Sequence, residues 1–148
     1  MSIFTSLEVS GSALAAERQR AEVVAANMAN AETTRTPEGG PYRRKQVVFS
    51  SSQASSFRML LVNSGAQGVD LGTSPVRITK VVEDATPPIM RYEPGNPDAN
   101  GEGYVAYPNI NPVQEMADLM DSVRAYQLNA AAVSASKQII TGAIDILK

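Results

Sequence analysis

The chain has 148 residues, with 13 Lys+Arg against 15 Asp+Glu and a formal net charge of −2. That balance excludes the basic excess with which nucleic-acid binders neutralise phosphates. There are no Cys, no His and no Trp. Disulfides, thiol nucleophiles, Cys-ligated metal sites and the commonest acid–base catalyst near pH 7 are therefore all excluded.

The first residues, 1–8, carry neither a basic nor an apolar signal region, so no cleavable secretory leader is expected. The longest strongly apolar run, Met59-Leu-Leu-Val62, falls far short of the ~20 residues a membrane span needs. The absence of Cys suits an oxidising location, where a stray thiol is a liability, and is also compatible with the cytosol. Ala concentrates at 13–31 and 125–143, while all nine Pro lie between Pro37 and Pro112. The pattern is α+β: helical arms at both ends enclosing a Pro-, Gly- and Ser-rich middle.

In the N-terminal arm Leu7, Leu14, Ala21 and Met28 recur every seven residues, with Ile3, Val24 and Ala25 nearby. Asn27-Met-Ala-Asn30 and then Pro37 end the helix, because Asn tolerates a left-handed cap and Pro restricts its predecessor. The middle reads as strands over 42–49, 57–62, 76–82 and 88–92. A Ser-rich linker at 50–56, a loop at 63–68 and a turn-rich connection at 93–103 separate them. Tyr42, Arg43, Arg44 and Lys45 make a basic strand start, readable as a solvated face or as a contact for an acidic partner surface. Asp98-x-Asn100-x-Glu102-Gly103 copies half of a calcium loop. Its twelfth position would be Asn109 and its near side holds Pro94 and Pro97, so we read a turn.

The C-terminal arm has the clearest grammar. Asn111 is placed as N-cap, Pro112 at the first helical position and Gln114 as a capping-box partner. Glu115 and Asp118 follow, suited to the positive end of the dipole. Leu119, Val123, Tyr126, Ala130, Val133, Lys137, Ile140, Ile144 and Leu147 then recur at alternating spacings of 4 and 3. That is a heptad seam, apolar except at Lys137. A continuous helix from 112 to 147 would be about 50 Å long. Two readings stay open: the arms pair within one molecule, or they pair and also dock on other subunits. The length favours the second, because a compact domain of this size rarely carries such a helix. On that reading the arms order fully only when neighbours surround them. Ser134-Ala-Ser-Lys137 matches S-x-x-K of penicillin-recognising enzymes, but the companion motifs and the chain length that fold needs are missing. No enzyme activity and no cofactor are expected.

Several stretches carry a family resemblance: Asn27-Met-Ala-Asn30-Ala31-x-Thr33, Gly39-Gly-Pro-Tyr-Arg-Arg-Lys45, and Tyr92-x-Pro94-Gly95-x-Pro97-Asp98-Ala99. Gly103-Tyr-Val105, Pro108-Asn-Ile-Asn111 and Arg124-x-Tyr126-Gln-x-Asn129 continue it. The chain resembles the proximal-rod proteins of the bacterial flagellar basal body, in the rod/hook/axial superfamily. It departs from their pattern at Asn96, where His is usual.

The resemblance implies a helical inner domain from 1–31 and 109–148, with a β-rich outer domain, 32–108, inserted between. It implies a structural subunit of the proximal rod, polymerised through its terminal helices into a torque-transmitting tube around the export channel. The implied partners are other copies, other rod proteins, the rod–membrane-ring junction protein and the flagellar export apparatus in transit. No nucleic acid or small-molecule substrate is implied. Subunit packing would fall to Leu7, Leu14, Ala21, Val24, Asn27, Met28 and Asn30 in the first arm. In the second it would fall to Leu119, Val123, Arg124, Tyr126, Asn129, Ala130, Val133, Ile140, Ile144 and Leu147. Tyr42, Arg43, Arg44 and Lys45 are candidate inter-subunit contacts. The alternative is a free-standing coiled-coil adaptor.

Overall fold

The computed structural model describes residues 3–51 and 74–146. The expected strand at 57–62, the loop at 63–68, most of the Ser-rich linker and Leu147 lie outside the described residues. Two long helices dominate: α1, Ile3–Ala29, and α2, Pro112–Ile146. They run antiparallel, since Asn27 meets Glu115 while the earlier Arg20 meets the later Asp118. Their 27 and 35 residues make helices of about 40 and 52 Å. Counting from the Asn27–Glu115 contact, α2 outruns the start of α1 by about seven residues, or some 10 Å.

The start of α2 is capped as its sequence dictates. The Asn111 Oδ1 accepts from the Val113 amide at 3.0 Å, and the Glu115 amide closes the first turn on the Asn111 carbonyl at 3.1 Å. Gln114 stands exposed, whereas Glu115 turns inward.

Between the helices lie two separate antiparallel hairpins. Strand β1, Lys45–Ser51, pairs with β2, Val76–Glu83, with a register shift after Val48 that leaves Thr79 without a partner. The strand expected from residue 42 begins only at Lys45 because the preceding amides bond elsewhere. Tyr42 donates to the Thr33 carbonyl at 3.0 Å, and Lys45 donates to the Asn27 side chain at 2.9 Å. Strand β3, Ile89–Tyr92, pairs with β4, Tyr104–Tyr107. β4 is a strand that sequence periodicity missed. It is four residues long and borders a Gly-rich turn, so its only strong signal is the β3 partner it finds in space.

The described core is small. Its buried apolar residues are Ala16, Val24, Val105 and Ile110, joined by Pro108. The helix interface also buries the polar residues Ser10, Asn27, Glu115 and Ser122. The inner line of α2 therefore runs through Glu115, Ser122, Asn129 and Ser136, beside the half-buried Leu119, Val133 and Ile140. Of the apolar heptad seam, Val123, Tyr126, Ala130 and Ile144 are exposed. Small inner side chains let the helices approach closely; the larger apolar ones are turned outward.

Candidate functional site

Two features stand out: a buried polar junction at one end of the helix pair, and an apolar line on the outer side of α2.

The junction is built around Asn27. Its amide pairs with the main chain of Lys45 as a neighbouring strand residue would, donating to the carbonyl at 2.8 Å and accepting from the amide at 2.9 Å. It also donates to Glu115 Oε2 at 3.0 Å and accepts from the Tyr42 hydroxyl at 3.1 Å. All four hydrogen-bonding positions of the side chain are thereby used. Glu115 accepts in addition from Arg44 Nε at 2.5 Å. Arg44 reaches on to Asp118 at 3.4 Å, which a second arginine, Arg20, meets at the same distance. Asn27 and Glu115 are each 1% exposed. Burial, with the carboxylates of Glu83 and Glu115 nearby, raises the Tyr42 phenol above its usual pKa, so it remains a hydroxyl donor at neutral pH.

Next to the junction, the chain leaving α1 is tied to the second hairpin. The Asn30 amide folds back on the Ala26 carbonyl at 2.8 Å, and its Oδ1 accepts from Thr33 at 3.2 Å. Thr34 donates to Asp98 at 2.7 Å, with Arg35 3.8 Å from the same carboxylate. The Asp98–Glu102 stretch is a turn, in which Asn100 Oδ1 accepts from the amides of Glu102 and Tyr104. Asn96, the departure from the family pattern, donates to Glu93 at 3.1 Å, and its Oδ1 accepts from the Asp98 amide at 3.0 Å.

The candidate packing residues divide accordingly. Val24 and Asn27 are buried, while Leu7, Leu14, Ala21, Met28 and Asn30 are half-buried. On α2, Leu119, Asn129, Val133 and Ile140 are half-buried; Val123, Arg124, Tyr126, Ala130 and Ile144 are exposed. Asn129 donates to the Ala125 carbonyl of its own helix at 2.9 Å, and Arg124 pairs with Asp121 at 3.4 Å. Of the four candidate contacts at 42–45, Tyr42, Arg44 and the Lys45 main chain are engaged inside the chain, leaving Arg43 exposed.

Sequence reasoning read Glu115 and Asp118 as dipole partners, and missed the ion-pair cluster they form with Arg44 and Arg20. The one available signal was a Glu in the first turn of an apolar-seamed helix. Outside the junction, the apolar line on α2 runs through Val113, Met116, Met120 and Val123, with the last three 50%, 57% and 45% exposed. These positions follow the helical 3–4 spacing.

A cleft of about 410 Å³ opens beside the junction, lined by Arg20, Val24, Asn27, Arg44, Phe49 and Asp118. Its Glu115 and Asp118 carboxylates pair with the Arg44 and Arg20 guanidinium groups. Ser134 and Lys137 stand exposed along α2. Among the described residues, no cluster of three or more acidic, His or Cys side chains could hold a metal, and no helix is long and apolar enough to cross a membrane.

The comparisons with known proteins agree with the geometry. Residues 7–35 match the family described as flagella basal body rod protein, and residues 102–146 match the C-terminal family of flagellar basal body rod FlgEFG proteins. These two segments carry Asn27 and Glu115. The chain is 43% identical to the flagellar basal-body rod protein FlgC of Bacillus subtilis (strain 168) over all of both chains. It is 34% identical to FlgC of Borreliella burgdorferi, over 100% of this chain and 99% of that one. With FlgC of Escherichia coli O157:H7 it shares 38% identity, over 95% and 94% of the two chains. A helix pair joined through small hairpins, matched at both ends and along its full length, places the chain in the FlgC family of flagellar basal-body rod proteins, as a structural subunit of that rod.

Proposed function

We propose that this subunit polymerises through its terminal helices into the proximal part of the rod, a tube that transmits torque and surrounds the export channel. Residues 1–31 and 109–148 form the inner domain, and 32–108 form the outer domain inserted between them. The observation that carries this reading is the outer line of α2. Met116, Met120 and Val123 are exposed although the adjoining face of the same helix is closed on α1. An apolar line on a helix already paired on its other face is an interface for a neighbour. Torque then passes through many small apolar contacts, and the role is mechanical, not enzymatic. Neighbours are other copies, other rod proteins and the junction protein at the membrane ring, reached by way of the flagellar export apparatus.

The test separates folding from assembly. Met120→Asp with Val123→Asp should leave the urea transition of the purified chain within about 1 kcal/mol, since exposed sites tolerate polar replacement. The same variant should be missing from isolated basal bodies, and its cells should not swim. Normal motility would overturn the proposal. A defined dimer of the wild-type chain in dilute solution would instead favour the free-standing adaptor.

A further inference from the structure

The junction joins three segments that are distant in sequence. Asn27 ends α1, Arg44 precedes β1 and Glu115 opens α2, with separations of 88 residues from Asn27 to Glu115 and 71 from Arg44 to Glu115. The bonds continue into the sheet: the Arg44 carbonyl accepts from the Asp84 amide, just past β2, at 2.7 Å. A continuous path of hydrogen bonds thus runs from α2 through Arg44 to the end of the first hairpin. A parallel one runs from α1 through Lys45 into β1.

We propose that Asn27, Arg44 and Glu115 form a latch that makes order at the start of β1 conditional on correct pairing of the two helices. The rest of the helix interface selects register weakly. Its inner positions Glu115, Ser122, Asn129 and Ser136 are seven residues apart, and three of the four are small or uncharged. Sliding α2 by one heptad would again place a small residue against α1, while carrying Glu115 about 10 Å from Arg44 and Asn27. A slip in either direction breaks the bonds of Glu115 to both Arg44 and Asn27, so one register is selected. In that register the amide of Asn27 is oriented by Glu115 and completes the edge of β1. In any other, Asn27 keeps only the Tyr42 hydroxyl to orient it, and its two bonds to the Lys45 main chain are weakened. The latch's use, reporting to the outer hairpin that the inner arms are paired, rests on the proposed assembly; its bonds do not.

Amide hydrogen exchange on the full-length chain tests it. In the wild type, the Lys45 and Asp84 amides should exchange together with the Glu115 amide, which closes the first turn of α2. Glu115→Ala should speed exchange at Lys45 and Asp84 about a hundredfold, the scale set by leaving buried donors without their acceptor. The Glu93 amide, bonded to the Gly103 carbonyl at 2.9 Å in the other hairpin, should keep its protection. If Ala also exposes Glu93, the whole chain has unfolded and Glu115→Gln decides. Gln keeps the size but can satisfy only one of Arg44 and Asn27, so about a tenfold increase at Lys45 is expected. Wild-type protection at Lys45 and Asp84 in either folded variant overturns the latch. That result would leave the rod assembly standing, just as a motile Met120/Val123 variant would leave the latch standing.

Discussion

At one end of the helix pair, Asn27, Arg44 and Glu115 close a polar junction; at the other, Ile139, Ile144 and Ile146 stand in solvent. The junction end satisfies its groups within one chain, through bonds with strict geometry. The far end carries apolar surface that satisfies nothing in the single molecule. Hydrogen bonds between buried charges discriminate position sharply, while apolar contact rewards any partner that excludes water. The molecule's strict polar bonds are gathered at one end, while exposed apolar side chains run the length of α2 from Val113 to Ile146.

Substitutions can break this contrast or sharpen it. The largest effect is expected at the junction. Glu115→Ala leaves Arg44 with only the longer contact to Asp118 and strands one Asn27 donor, costing about 2–3 kcal/mol in urea unfolding. Next is Gly103→Ala, in the hairpin tied to the junction by Asp98. Gly103 has φ +83°, and a Cβ there would lie 2.9 Å from Tyr92 and 3.3 Å from Pro94. The expected loss is about 1–2 kcal/mol, visible as raised exchange in β3 and β4 while α2 is unchanged.

Asn111→Ala removes the cap that starts α2 beside Glu115, and should cost about 1 kcal/mol in the same urea assay.

Tyr107→Phe should have a smaller, pH-dependent effect. The Asn96 amide and then the Tyr107 hydroxyl hold the Glu93 carboxyl below its usual pKa. Their stabilisation is present above the ordinary carboxylate range and is lost as pH falls through the depressed value. The bond to Glu93 in turn is the main cause of Tyr107's raised pKa, so its contribution is full below the ordinary phenol range and lost as pH rises through the raised value. Phe should therefore remove the alkaline flank of the hairpin's pH profile and shrink the acid one, where Asn96 still acts, as followed by NMR of β3 and β4. Smallest of all, Ile144→Ser should change monomer stability by less than about 0.5 kcal/mol. Its incorporation into basal bodies should nonetheless fall. A large stability loss there would erase the contrast between the two ends.

Local rules were enough for much of the fold. Asn111-Pro112 marked the start of α2 to the residue, and the unbroken seam marked its length. The β-branched run at 76–82 marked β2, and turn chemistry marked the turn at Asp98–Gly103. β4 was not legible, since its four residues become a strand only against β3. Neither was the face that α2 turns to α1. Much of the apolar periodicity, through Val123 and Tyr126, lies on exposed positions. The inner line runs through Glu115, Ser122, Asn129 and Ser136, with Leu119, Val133 and Ile140 of the seam beside it.

The sequence alone determined that two helical arms flank a β-rich middle, because caps, prolines and periodicity act within a few residues. It also determined the family, through the stretch from Tyr92 to Asn111 together with the motifs at both ends. Only the tertiary structure decided which helix face is inside and what Asn27, Arg44 and Glu115 do. Their bonds join residues that no local pattern connects, and the burial that makes those bonds strong exists only once the two ends of the chain have met.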